Sequence, residues 1–201
     1  MKRLMDQKIS EIKRLSGKSC YAETNHCFIK GFGWLIPEYI PSNQIGVIIL
    51  KRDKKKVINS FMRLGHSPLT PHGRVWYMTP EMKHPLAAPP SFWGSVKGYY
   101  HMVRYINYLL FYKGVNKELS HEPEWIKDYA WRLMDWYIDE VYRWADVYKQ
   151  TFPNIRYFET DVNYLNRTDG VQTMLEYFGL SADDKIVHHV GRRSNHNLGH
   201  Y

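Results

Sequence analysis

An apolar run, Ile45 to Leu50 (Ile-Gly-Val-Ile-Ile-Leu), ends in Lys51-Arg52-Asp53, and a segment with helical periodicity starts at once after it. A guanidinium at such a strand–helix junction can form paired, charge-assisted bonds to a phosphate, and a nearby hydroxyl or helix N-terminus adds donors. Ser60, eight residues on and inside the expected helix, is such a hydroxyl. The plainer alternative is an arginine that caps the sheet edge and a serine that faces solvent. Glu23 has a comparable setting at the end of an expected short strand, Ser19 to Thr24. Open α/β sheets gather ligands beyond the carboxyl ends of their strands, which directs attention to Glu23 and Arg52 together.

The elements that would position these residues follow from periodicity. Residues 2 to 16 read as an amphipathic helix, with Leu4, Ile9, Ile12 and Leu15 near helical spacing and Gly17 ending it. A Gly- and Pro-containing loop runs through Phe32, Pro37 and Pro41. The Ile45 to Leu50 run suits a central parallel strand covered on both faces. The helix after it carries Val57, Ile58, Phe61 and Leu64 on one face, and Gly65 closes it. Residues 66 to 93 are rich in Pro, His and aromatics without a steady period, the pattern of a long functional loop. Helices are expected over 94 to 112 and 122 to 152. The second has Ile126, Ala130, Leu133, Tyr137, Val141, Trp144 and Tyr148 along one face, and Pro153 stops it. Asn154 to Phe158 reads as a strand and Asp169 to Phe178 as a helix ended by Gly179. Strand–helix–strand–helix order with a β-branched strand argues for an α/β fold, a parallel central sheet flanked by helices.

The segment from Ile48 through Arg52 and Ser60 to Arg63 resembles the strand–Arg–helix segment of PAPS-dependent sulfotransferases. In that family an Arg at the strand end and a Ser eight residues later hold the 3′-phosphate of the nucleotide, roles that would fall to Arg52 and Ser60. Lys54 stands where the family commonly has Pro. Upstream, Tyr21-Ala22-Glu23-Thr24-Asn25-His26-Cys27-Phe28 is similar to the Glu-Lys-Thr-Pro type segment of glycosaminoglycan sulfotransferases, with Thr24 in place of Lys and Asn25 in place of Pro. The resemblance implies that Glu23 is the general base for the acceptor proton. The cytosolic relatives use a histidine in this place, which would point to His26. Either type serves a base that can reach the proton with a pKa near working pH. The bland readings are a Glu23 paired with a Lys or Arg and a His26 satisfied in its loop. Ile155 to Glu159 and the Leu-Glu-Tyr-Phe-Gly-Leu run at 175 to 180 follow the family's late order. Gly191-Arg192-Arg193-Ser194-Asn195 resembles its basic glycine loop, which would make Arg192 and Arg193 nucleotide ligands.

The same resemblance implies a P-loop NTPase-like sulfotransferase fold whose opening unit, a strand, a Ser-Gly-Thr loop and a helix holding the 5′-phosphosulfate, is not found in residues 1 to 201. Gly17-Lys18-Ser19 has no glycine at the spacing a phosphate loop needs, and it leads into an expected strand. The expectation is therefore one sulfotransferase-like domain over 1–201, N-terminally incomplete, with PAPS as co-substrate, a hydroxyl or amine acceptor, no metal, and a second polypeptide or upstream segment completing the fold. A non-catalytic binder of PAP or of a partner on the same scaffold is the alternative. Acceptor contacts are expected in the 66 to 93 loop, with His66, His72, His84, Trp76 and Trp93.

Composition bounds these readings. Of 201 residues 44% are hydrophobic and 15% aromatic, which argues for a packed core rather than disorder. No run approaches the roughly 18 to 20 apolar residues of a membrane span, and the basic N-terminus is not followed by a signal-type apolar stretch. Cys20 and Cys27 do not suggest a disulfide framework and fit a reducing cytoplasm. The net charge of +8 suits an anionic partner. Only Lys51 to Lys56 groups basic residues, so the pattern argues for a nucleotide over a nucleic acid.

Overall fold

In a computed structural model of the chain, the described residues are 2–16, 20–24, 28–64, 123–181 and 190–191, with single positions 100, 103, 104, 106, 107 and 110. They form a mixed α/β protein. The elements are α1 (Lys2–Ser16), β1 (Gly46–Lys51), α2 (Lys54–Arg63), α3 (Glu124–Thr151), β2 (Arg156–Asp161), α4 (Val162–Leu165) and α5 (Thr168–Tyr177). Three short 3-10 turns, Phe32–Trp34, Ile36–Glu38 and Ser42–Gln44, occupy the expected loop before β1. The chain divides into two compact units, Met1–Tyr39 with Asp53–Thr151, and Ile40–Arg52 with Phe152–Tyr201.

The first unit holds the long helices. α1 buries Met5, Ile9 and Ile12, one helical stripe, while Leu15, expected on that stripe, is 40% exposed. Residues 20 to 24 do not form the expected strand. Apart from Tyr21 they offer no large apolar side chain, so this stretch has no face to bury against a sheet. α2 is started by Asp53, whose carboxylate accepts from the Lys56 amide at 2.7 Å. Its Ile58 is fully buried against Met134 and Ile138 of α3, with Val57, Phe61 and Met62 packed around them. Burying a side chain such as Ile58 stabilises by about 1.5–3 kcal/mol, so this contact carries much of the α2–α3 packing. Farther along α3, Tyr148 donates to the Gly33 carbonyl at 3.1 Å and packs edge-on against Phe28 and Trp34. This anchors the turns at 28–39. α3 ends at Thr151 because Phe152 precedes Pro153, which disfavours helical geometry in the residue before it.

The second unit holds the sheet. β1 and β2 pair in parallel, with Gly46 opposite Arg156 and Lys51 opposite Asp161. Parallel neighbours require a long crossover, and here the chain between them includes α2 and α3. Among the described residues the sheet has two strands. Ile45 and Ile49 are buried, but Ile48 and Leu50 are 46% and 49% exposed. The expected central strand covered on both faces is thus corrected: the described residues cover β1 on alternate positions only. Gly46 lies so close to Phe178 that a Cβ would meet its ring at 2.5 Å, which explains a glycine inside a strand. Phe178, Tyr177 and Phe158 form an aromatic cluster on that side, and the Arg156 guanidinium lies 5.7 Å from the Phe178 ring centre. β2 runs to Asp161, beyond the expected end, because the Asp161 carboxylate caps α4 through the amides of Asn163 and Tyr164. α5 closes with Gly179 at φ 74°, the Gly179 amide bonding the Glu176 carbonyl and the Leu180 amide the Leu175 carbonyl.

Candidate functional site

Three of the six residues singled out by sequence fall among the described residues. Glu23 and Ser60 belong to the first unit and Arg52 to the second. His26, Arg192 and Arg193 lie outside the described residues, as do the 66 to 93 loop, Gly17-Lys18-Ser19 and Cys27.

Arg52 stands immediately after the last residue of β1, at the carboxyl end of a parallel strand, and is exposed. The charges around it in sequence are partly committed. Lys51 bridges Glu159 at 2.6 Å within the second unit. Lys54 bridges Asp135 and Asp139 of α3, each at 2.7 Å, within the first. Burial works against the Lys54 ammonium, but the two carboxylates outweigh it and hold its pKa above the ordinary value. Asp135 and Asp139 are one turn apart and would repel each other without that cation. Lys55 and Lys56 are exposed. The α2 N-terminus, which the sequence offers as extra donors for an anion, is already capped by the chain's own Asp53 carboxylate. Ser60 is half-buried on α2, on the opposite side of the helix from Ile58.

Glu23 is the centre of a closely knit polar group. The Lys8 ammonium lies 2.5 Å from Glu23 Oε2 and donates to the Tyr21 hydroxyl at 3.0 Å. The Tyr21 hydroxyl in turn donates to the same Glu23 oxygen. Lys8 also approaches the exposed Glu11 at 3.9 Å and sits 5.5 Å from the Tyr21 ring centre. The Lys8 and Glu23 side chains are 27% and 26% exposed, so the pair is shielded from solvent without being sealed from it. The hydrogen bonds to Glu23, then to Tyr21, raise the Lys8 pKa well above its usual 10.5. Lys8 therefore stays an ammonium throughout the neutral range.

Lys8 and Tyr21 were not among the residues the sequence analysis singled out. The signal for Lys8 was present: it is three residues after Met5 and four before Ile12, on the edge of the buried stripe of α1. A lysine in that position needs a carboxylate partner. A buried carboxylate, Glu140 on α3, is 5% exposed. It accepts from Arg143 through both oxygens and from the Trp144 indole at 2.8 Å, so its role is structural.

Among the described residues no group of three or more His, Cys, Asp or Glu could hold a metal ion, and no helix is long and apolar enough to cross a membrane. No family model, curated protein or solved structure matches this chain.

Proposed function

We propose that the chain is a sulfotransferase-like protein that transfers a sulfuryl group from PAPS to a hydroxyl or amine acceptor, on a P-loop type fold. The observation that carries this reading is Arg52 at the carboxyl end of a strand paired in parallel through a helical crossover, where α/β sheets bind anionic ligands. Arg52 is the phosphate-binding side chain on which the reading depends. Ser60, Arg192 and Arg193 are assigned by resemblance alone. In the reaction, a lone pair of the acceptor atom attacks sulfur, the bond from sulfur to the phosphate oxygen breaks, and PAP leaves with that electron pair. Glu23, or His26, takes the acceptor proton. The exposed thiol of Cys20 fits a reducing compartment such as the cytoplasm.

A second reading, a non-catalytic holder of PAP on the same scaffold, draws on the engagement of Glu23 with Lys8 and Tyr21. Incubation with sulfur-labelled PAPS and a panel of hydroxyl and amine acceptors separates the two. Label appearing on an acceptor, and lost in Glu23→Gln, supports the enzyme. PAP binding without any label transfer supports the holder, and neither binding nor transfer rejects both.

A further inference from the structure

The ammonium of Lys8 already occupies the space beside Glu23 that a cationic acceptor would need. Its Nζ lies 2.5 Å from Glu23 Oε2 and 3.0 Å from the Tyr21 hydroxyl, which also donates to that oxygen. An ammonium and a phenol are thus among the groups that face this carboxylate, with Glu11 behind Lys8 at 3.9 Å and itself 52% exposed. An alkylamine acceptor arrives at neutral pH as an ammonium ion. To hand a proton to Glu23 it must come within hydrogen-bonding distance of a carboxylate that Lys8 already neutralises, bringing two like charges together in a partly shielded site. A neutral hydroxyl meets no such repulsion.

The basicity argument points the same way. A carboxylate is a weak base, poorly suited to stripping a proton from an alkylammonium before attack. An alcohol or phenol needs its proton removed only as the oxygen–sulfur bond forms, when that proton has become acidic. A weak base is adequate for that step.

We propose that Lys8 is a specificity-determining residue that favours a neutral hydroxyl acceptor and excludes alkylamines, which arrive as cations. This rests on the sulfotransferase reading. In the step it selects, the hydroxyl oxygen forms the new bond to sulfur, the sulfur–oxygen bond to the nucleotide phosphate breaks, PAP carries away the electron pair, and the hydroxyl proton passes to Glu23. Tyr21 and Lys8 touch neither sulfur nor acceptor oxygen; they orient the carboxylate.

Two measurements test it, one of them independent of turnover. In protein with isotope-labelled glutamate, the Glu23 carboxyl resonance is followed as methylammonium or methanol is added, in wild type, Lys8→Met and Lys8→Arg. The wild type and Lys8→Arg resonances stay fixed on adding methylammonium, while that of Lys8→Met moves. A wild-type resonance that responds as strongly as that of Lys8→Met overturns the proposal, whatever the transfer assay shows. In the second measurement, label transfer from PAPS is compared for matched alcohol and amine acceptors. The wild type favours the alcohol by at least about tenfold, Lys8→Met narrows that ratio, and Lys8→Arg restores it. Equal transfer to both acceptors by wild type also overturns it. If Glu23 excludes methylammonium as expected but no acceptor is ever labelled, the sulfuryl-transfer reading fails and the charge selection at Glu23 stands.

Discussion

Lys8 links two parts of the first unit that are separated in sequence, and its raised pKa fixes the direction of a pH effect. A group whose pKa is higher folded than unfolded contributes stability that is fully present below its unfolded value and lost as pH rises through its folded value. For Lys8 the contribution is complete below about pH 10.5 and declines above it. The pair keeps some solvent contact, so its worth is about 1 kcal/mol or less. Urea unfolding of wild type and Lys8→Met across pH 8 to 12 should show a constant gap up to about pH 10.5 that narrows above it. A gap that widens with pH would be inconsistent with the Lys8–Glu23 contact. Glu23 itself illustrates what a single residue discloses in sequence. Both of its readings, a base and a paired carboxylate, follow from the strand end expected there, but its partner Lys8 lies 15 positions upstream on a helix whose approach no local pattern specifies. His26, Arg192 and Arg193 lie outside the described residues and rest on resemblance.

At the scale of elements, helices follow periodicity closely and strands do not. The span of α3 was legible because its apolar residues recur every three to four positions and Pro153 gives it a stop. Its burial is broader than one stripe: Tyr129, Met134, Ile138 and Glu140 are buried too, while Tyr137 and Val141 are only partly so. The reason is that α2 packs beside Met134 and Ile138, off the stripe that periodicity picks out. Residues 20 to 24 depart from the expected strand because β-propensity without an apolar face does not make one, and Lys8 satisfies polar groups there instead. The start of α2 is a local device with a measurable value. Three lysines in its first turn oppose the helix dipole, and the Asp53 cap offsets them. Asp53→Ala should cost about 1 kcal/mol of unfolding free energy, with Asp53→Asn retaining most of it. Ile58→Ala, which empties the fully buried centre of the α2–α3 contact, should cost about 2–5 kcal/mol in the same experiment. A loss under 1 kcal/mol at Ile58 would mean that α2 and α3 are not packed as described.

For the whole molecule, the parallel pairing of β1 with β2 was the long-range feature that element order predicted, and the described residues contain it. What order could not tell is how much of β1 is covered: the side chains of Ile48 and Leu50 are nearly half exposed although their composition is that of an interior strand. Coverage depends on non-local packing that no run of six residues encodes. The net charge of +8 was legible as a preference for an anion, yet the structure divides it. Lys8, Lys51 and Lys54 are held by carboxylates, whereas Lys55 and Lys56 remain exposed. Binding of a 3′-phosphorylated nucleotide near exposed charges should weaken as salt rises from low to physiological strength and above. The central claim, that the carboxyl end of β1 binds such a nucleotide through Arg52, is tested most directly by calorimetric titration of wild type and Arg52→Ala with PAP. The account predicts saturable binding by wild type and affinity about tenfold to a hundredfold weaker in Arg52→Ala, the worth of a charge-assisted pair. Equal affinity in the two proteins, or no binding by either, would contradict it.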